Sequence, residues 1–357
     1  MARVSRAVIA NGEWISVVAE FTVGMTTGQM SAIGAFAAES VDDGLQDVTV
    51  EVPTLRPRDV LVRVQAVSVN PVDVKQRAAL TPSAEPAVLG YDAAGVVEAV
   101  GDAVTTLHTG DEVWYAGDIT RPGSDAEFQA VDERIVSRKP TSLSFADAAA
   151  LPLTTITAWE SLFERFGLTS DSTGDLLVLG AAGGVGSIMI QLAKALTGVR
   201  VIATAGRTES REWAERMGAD IVVDHHRLRA ETLDAVPGGV DYLFSPHSAG
   251  NIDDYAAIVK PFGHITAIDE PPGLDLVALK AKSIAWHWEL MFTRSMFETP
   301  DMAEQQRLLA RAAALVDEGT LRTTVTRTID DFSAAGLRAA HRDVGSGRMT
   351  GKVVVTR

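Results

Sequence analysis

The run Gly180-Ala181-Ala182-Gly183-Gly184-Val185-Gly186-Ser187 offers the clearest chemistry in the chain. Residues this small let a backbone approach a pyrophosphate, and a helix opening behind them aims free N–H groups and the positive end of its dipole at the anion. The apolar residues Leu176 to Leu179 before the run read as a buried strand. After it, Val185, Ile188, Met189, Leu192, Ala193 and Leu196 recur at the spacing of one helix face. Gly180, Ala182, Gly183, Gly184, Val185 and Gly186 are therefore the expected dinucleotide cradle. About twenty residues past such a loop a carboxylate would hold a free ribose 2′-hydroxyl. This chain has Ala205-Gly206-Arg207-Thr208 there. An arginine without an acid suits a 2′-phosphate, so the expected cofactor is NADPH, and the plainer reading of Arg207 is a solvated residue at a helix start. Ser245 and Ile268 end later strands on the carboxyl edge, where open α/β sheets bind ligands, and are expected to line the same cleft.

Other chemistries are poorly supplied. The chain has no cysteine, which removes disulfides, thiol nucleophiles and thiolate metal sites. Its seven histidines are His108, His225, His226, His247, His264, His287 and His341, and no pair has the helical ligand spacing of four residues. The pair His225-His226 is expected to be solvated or capping, and no metal is expected. A net charge of −15 without a basic cluster argues against nucleic acid and anionic lipid surfaces as partners.

These residues need a scaffold, and 357 of them suffice for about two domains. Residues 1–29 lack a convincing secretory signal, end in a Gly/Thr-rich stretch and read as an appended extension. No apolar run reaches bilayer length, so no membrane is expected and the default compartment is the cytoplasm. From Ser31 to about Pro152 the pattern is that of short half-buried strands: Val48 to Val52, Val60 to Val69, Gly95 to Val100, Glu112 to Tyr115 and Glu127 to Val131. Ser144 is placed to cap a helix over Phe145 to Leu151 that Pro152 interrupts. From Asp175 the rhythm changes to wholly apolar runs alternating with amphipathic helices, the pattern of a doubly wound parallel sheet. Its strands are expected at 176–179, 199–205, 220–224, 240–245 and 264–268. Helices over Glu304 to Val316 and Phe332 to His341 precede a closing strand, Lys352 to Thr356, which suggests that the chain returns to its first domain. The fold class is thus α/β, with the parallel-sheet domain inserted into a β-rich one.

The segments Asn70-Pro71-Val72-Asp73, Leu89 to Val97, Val100-Gly101, Gly110 to Val113, Ala149 to Pro152, Thr157 to Glu160, the glycine loop and Gly351-Lys352-Val353 occur in an order that resembles the medium-chain dehydrogenase/reductase superfamily. Within it they are most similar to quinone oxidoreductases and the related zinc-type alcohol dehydrogenase-like proteins. The resemblance implies a GroES-like β-rich catalytic domain over 30–152 and 291–357, a Rossmann NADP-binding domain over 153–290, a nicotinamide cleft between them, and a homodimer.

It also implies where the reacting face lies. In the zinc alcohol dehydrogenases of that superfamily the metal is held by a Cys where this chain has Asn70, a His where it has Tyr91, and a further Cys that is absent here. A zinc-free hydride transfer to a quinone or an α,β-unsaturated carbonyl is the expected reaction, because that acceptor needs only hydrogen-bond donors at its developing oxyanion. Tyr91 and then Asn70 are the implied donors, with Asp73 orienting Asn70 or a water. A packed Tyr91 and a plain Asn70-Pro71 turn are the competing readings. Thr157 is expected near the nicotinamide carboxamide, and Lys352 and Arg348 near phosphate oxygens. Asp92 and Asp111 are expected to anchor loops. The cluster Trp286, Trp288, Phe292 and Phe297 can wall an acceptor pocket or pack in a core. An alcohol or aldehyde dehydrogenase, and a non-catalytic NADPH-binding protein, are the alternatives.

Overall fold

The computed structural model describes residues 6–10, 13–17, 28–39 and 44–357. Within the expected extension, β1 (Arg6–Ala10) pairs antiparallel with β2 (Glu13–Val17), and the rest of residues 1–27 lies outside the described residues. Next come β3 (Gln29–Ala35), β4 (Gln46–Glu51), β5 (Asp59–Ser68), β6 (Ala87–Val88), β7 (Ala93–Val100), β8 (Glu112–Tyr115), β9 (Phe128–Asp132) and β10 (Val136–Arg138). β3 joins β4 and β6 in a small sheet, while β5 pairs antiparallel with both β7 and β9. Ten residues long and with eight of them buried, β5 is the spine of this half.

Three helices lead out of that half: α1 (Pro71–Ala78), α2 (Phe145–Ala149) and α3 (Pro152–Trp159). The side chain of Ser144 caps α2 by accepting from Asp147 N. Pro152 does more than interrupt. A proline has no N–H to lose at the first helical position and its φ is already helical, so it opens α3 directly behind α2.

The second half is a six-stranded parallel sheet made by β11 (Asp175–Val178), β12 (Arg200–Thr204), β13 (Ile221–Val223), β14 (Val240–Ser245), β15 (Val259–Ala267) and β16 (Ala285–Trp288), in the order β13-β12-β11-β14-β15-β16. The reversal of strand order between β11 and β14 makes the doubly wound switch point. β16 was not expected: Trp286 and Trp288 belong to a sixth strand on the sheet edge, paired with Ile265 and Ala267. α4 (Gly184–Leu196) and α5 (Thr208–Met217) connect the first three strands. α4 is buried from Gly186 to Ala193 on all sides, because it lies between the sheet and the first half.

Finally β17 (Val325–Ile329) and β18 (Lys352–Thr356) rejoin the first sheet, with β18 antiparallel to β5 and parallel to β17. The closing strand is therefore half of a pair. One hydrophobic core runs through both halves, from Ala66, Tyr91 and Trp114 through Ala148, Leu151 and Ile156 to Leu176 and Ile188. Among the described residues no helix is long and apolar enough to cross a membrane.

Candidate active site

The glycine loop leaves β11 at the switch point. Gly180 has φ +62°, a left-handed conformation that disfavours any side chain, and its carbonyl accepts Gly183 N at 2.9 Å to close the turn. A Cβ at Gly186 would lie 2.6 Å from the Ala181 Cα and from the Gly180 carbonyl oxygen, so only glycine lets α4 pack this close to the strand end. The amides of Gly184, Val185 and Gly186 precede the first helical bond, from Ser187 N to Gly183 O at 2.9 Å, and so have no partner within α4. Ala182 O accepts Gly351 N at 2.8 Å, which ties the loop to the returning chain just before β18.

Arg207 caps α5 from an exposed position and donates through Nη2 to Arg348 O at 2.6 Å. Across Gly206 stand His225 and His226, their rings 4.1 Å apart, and a Cβ on Gly206 would come within 2.5 Å of His225 Cε1. Both histidines are exposed, and Asp224 caps the short turn by accepting His226 N at 3.0 Å. Burial beside His226 moves the His225 pKa down. These three residues are the one described group whose ligand atoms lie within 4.8 Å of one another.

The expected positions on the carboxyl edge are occupied differently from one another. Ser245 is buried, and its hydroxyl meets Tyr255 Oη at 2.8 Å, Ser248 Oγ at 3.2 Å and the His247 N–H at 3.2 Å, so it braces the loop after β14. Ile268 is half-buried and ties back to Ser245 O through its N–H. Thr157, on α3, is buried and donates to Leu153 O at 2.9 Å, which leaves its hydroxyl oxygen only as an acceptor.

The reacting face is built at the junction of β5, α1, β7 and β18. Pro71 opens α1 and Asn70 precedes it, its N–H bonded to Asp73 Oδ2 at 2.6 Å. The Asn70 side chain is fully engaged: Nδ2 donates to Ser68 O at 3.2 Å and Asp92 Oδ2 at 3.1 Å, and Oδ1 accepts from Lys352 Nζ at 2.5 Å. This departs from its expected part as an oxyanion donor, because both amide hydrogens already have acceptors. Lys352 departs as well. Its ammonium is buried against Asn70, Asp92 Oδ2 at 3.1 Å and Val69 O at 3.3 Å, and does not stand free for a phosphate. Only its stem reaches the glycine loop, where a Cβ on Gly184 would lie 2.7 Å from Lys352 Cδ. Asp92 completes the knot by accepting Leu153 N at 3.1 Å from the first turn of α3. Asp111 holds a surface loop through His108 N and Arg138, as expected of a loop anchor.

Tyr91 is 3% exposed, packs edge-to-face on Phe292 with ring centroids 5.5 Å apart, and its hydroxyl makes no hydrogen bond among the described residues. Burial, then the neighbouring Asp73, Asp125 and Asp118, push the phenol pKa upward. Burial raises the Asp73 carboxyl to about 7, against the pull of the Asn70 N–H and Lys352. Of the aromatic cluster, Phe292 thus meets Tyr91, whereas Phe297 and Trp288 are exposed. Lys352 as the partner of Asn70 and Asp92 was not legible in sequence, since 282 positions separate Lys352 from Asn70.

A glycine loop at a switch point, beside a β-rich unit that closes through its own C-terminal strand, is the arrangement of a dinucleotide-binding α/β fold. Residues 56–141 match the alcohol dehydrogenase GroES-like domain family and residues 217–355 the zinc-binding dehydrogenase family. The chain is 37% identical over 335 residues to a zinc-type alcohol dehydrogenase-like protein of Staphylococcus epidermidis, covering 91% of this chain and 99% of that one. It is 39% identical over 240 residues to the chloroplastic NADPH-dependent alkenal/one oxidoreductase of Arabidopsis thaliana, 63% of this chain and 60% of that one. The solved structure of a protein described as a zinc-dependent alcohol dehydrogenase, from Rhizobium etli, superposes with a TM-score of 0.88 at 46% identity, covering 93% of this chain and 99% of that one. The chain belongs to the medium-chain dehydrogenase/reductase superfamily, among its zinc-type alcohol dehydrogenase-like and quinone oxidoreductase members.

Proposed function

We propose that this protein reduces quinones or α,β-unsaturated carbonyls with NADPH and uses no catalytic zinc. The observation that carries the reading is the free hydroxyl of Tyr91 on a face where Asn70, Asp92 and Lys352 are bonded to one another. The donor set there does not fit a catalytic zinc. An amide whose nitrogen and oxygen are both engaged and a phenol with a raised pKa are poor ligands, and the nearby carboxyls do not converge as a ligand group.

A nicotinamide dinucleotide does fit. The amides of Gly184, Val185 and Gly186 would receive its pyrophosphate, Gly180, Ala182 and Gly183 would form the wall beside it, and Arg207 would face a 2′-phosphate. When bound, the reduced nicotinamide supplies a hydride. Tyr91 then orients the acceptor by donating to its carbonyl oxygen, and its raised pKa keeps that proton in place as charge develops. Phe292 holds the Tyr91 ring and excludes water from one side. Thr157 offers a single acceptor for an amide, and Ser245 and Ile268 shape the edge. The free edge of β16, where Trp288 is 51% exposed, is the surface on which the homodimer would form.

The test is NADPH oxidation with quinones, enones and simple alcohol/aldehyde pairs, each with and without a strong chelator. Turnover of quinones or enones that survives chelation supports the proposal, while chelator-sensitive alcohol oxidation overturns it. Tyr91→Phe should lower kcat by about a hundredfold while leaving NADPH affinity unchanged; unchanged kcat with every acceptor removes Tyr91 from the reaction.

A further inference from the structure

Three carboxyls lie under the reacting face, and their surroundings differ. Asp92 has the buried ammonium of Lys352 and the N–H groups of Asn70 and Leu153. Asp73 has the Asn70 N–H on Oδ2, and its Oδ1 is sealed without a partner. Asp125 is 2% exposed, and among the described residues its side chain has neither a cation nor a hydrogen-bond donor. The segment before β9 is pinned alongside Tyr91 by Ser124 N to Gly90 O at 2.9 Å and Asp125 N to Leu89 O at 2.8 Å. Its side chains press on Gly90, where a Cβ would meet Ser124 Oγ at 2.5 Å and Asp125 Oδ1 at 2.6 Å. Ser124 Oγ is sealed and unpartnered as well.

We propose that the Asp125 carboxyl, beside Tyr91, is the proton source for the reduced acceptor. The proposal rests on the reductase reading above. Its ground is a charge count. The floor brings together Asp73 from α1, Tyr91 and Asp92 before β7, Asp118 after β8, Asp125 before β9 and Lys352 from β18. Asp118 reaches solvent and bonds Thr120. Lys352, the buried cation bonded within this floor among the described residues, is spent on Asp92. A buried carboxylate with no cation and no donor is disfavoured relative to the neutral acid, so Asp125 carries its proton. Burial, and then the charge of Asp73, push its pKa well above the ordinary value.

The chemistry balances without a further reagent. A hydride from NADPH forms a C–H bond at the electron-poor carbon of the acceptor, whose π pair moves to the α-carbon and carbonyl oxygen. The Asp125 O–H bond then breaks, its proton joins the enolate, and the carboxylate left behind takes a proton from water; with a quinone, the keto tautomer so formed becomes the quinol when the proton of the new C–H bond leaves to water and one from water joins the carbonyl oxygen. The acceptor is reduced by two electrons and the nicotinamide oxidised by two.

The test uses the full chain with Asp125→Asn and Asp125→Glu. Infrared difference spectra of the wild type against Asp125→Asn at neutral pH should contain the carbonyl stretch of a protonated carboxyl, assigned to Asp125, without any substrate. With an enone, Asp125→Asn should lower kcat by about a hundredfold, raise the solvent isotope effect and abolish the alkaline fall of kcat, with the KM for NADPH unchanged. Asp125→Glu should recover part of the rate. If the band is absent, or if Asp125→Asn keeps wild-type kcat and isotope effects, the proposal is overturned while the reductase reading stands. If the wild type reduces no acceptor, both fall, and the infrared band distinguishes that case. Should Asp125→Asn fail to fold, the difference spectrum of the wild type against Asp125→Glu, in which the Asp125 carbonyl band shifts, and the Asp125→Glu rate decide.

Discussion

At the reacting face Asn70, Asp92 and Lys352 are almost wholly buried and hold one another through their side chains. At the other end of the glycine loop Arg207, His225 and His226 stand on the surface, and the fixed geometry comes from backbone: the turn at Gly180, the start of α4 and the Gly206 approach. Buried polar groups must satisfy each other or lose stability, so the first end couples fold to function. Exposed groups are solvated either way, so the second end can be altered in ligand preference with little cost to the fold.

The strongest way to break this contrast is Asp92→Leu. It leaves the Lys352 ammonium buried without its counter-charge and strips acceptors from Asn70 Nδ2 and Leu153 N, which should cost about 3–5 kcal/mol. Chemical denaturation measures it, and a loss below about 1 kcal/mol would mean that the network carries little, as a surface pair does.

The second is a pH series on Asp73→Asn. The folded-state pKa of Asp73 is raised to about 7 from an ordinary 3.8, so between these values the folded protein binds more protons than the unfolded one. The contribution of Asp73 is thus full below the ordinary value and is lost as pH rises through about 7. At 1.36 kcal/mol per pKa unit, the loss is bounded near about 4 kcal/mol. Asp73→Asn keeps an acceptor for the Asn70 N–H and removes the charge, so its Tm should decline less than the wild type's from pH 4 to pH 8. Parallel curves would show that Asp73 does not titrate in that window.

The third concerns the part that both ends share. Gly186→Ala places a methyl against the Ala181 backbone and should cost about 1–3 kcal/mol together with most NADPH binding, read by denaturation and by fluorescence titration. Full binding would mean that α4 can withdraw from the strand without losing the cradle.

Why sequence reached some of this and not the rest follows from how each feature is encoded. The glycine loop, β11 and α4 are local: a buried strand, small residues and a helix periodicity lie within about twenty consecutive positions. Lys352 to Thr356 was legible as a strand, but β17 was not, because Val325-Thr326-Arg327-Thr328-Ile329 alternates around an exposed arginine and has few apolar residues. β16 was hidden by its composition, since Ala285-Trp286-His287-Trp288 reads equally as an aromatic cluster. At the site, the family resemblance pointed to Tyr91, Asn70 and Asp73, whereas the destination of each polar atom depends on strands that meet only in the fold. Asn70 looks like a donor until Ser68, Asp92 and Lys352 are placed around it, and Asp125 looks like one more loop aspartate until the cations are counted.

The smallest effect, and the sharpest separation of the two ends, is expected from Arg207→Glu. The residue is exposed, and among the described residues the one hydrogen bond its side chain donates is to a backbone carbonyl, so stability should move by no more than about 0.5 kcal/mol. Ligand preference should move more. A guanidinium facing a 2′-phosphate contributes a charge-assisted bond, and replacing it with a carboxylate adds repulsion, so NADPH affinity should fall by about tenfold or more while NADH affinity, with no 2′-phosphate, changes little. Isothermal titration of both cofactors measures the ratio. Equal losses for the two would mean that Arg207 acts by holding Arg348 O and the chain beyond it against the Rossmann half, which would make this end structural in the same sense as the other.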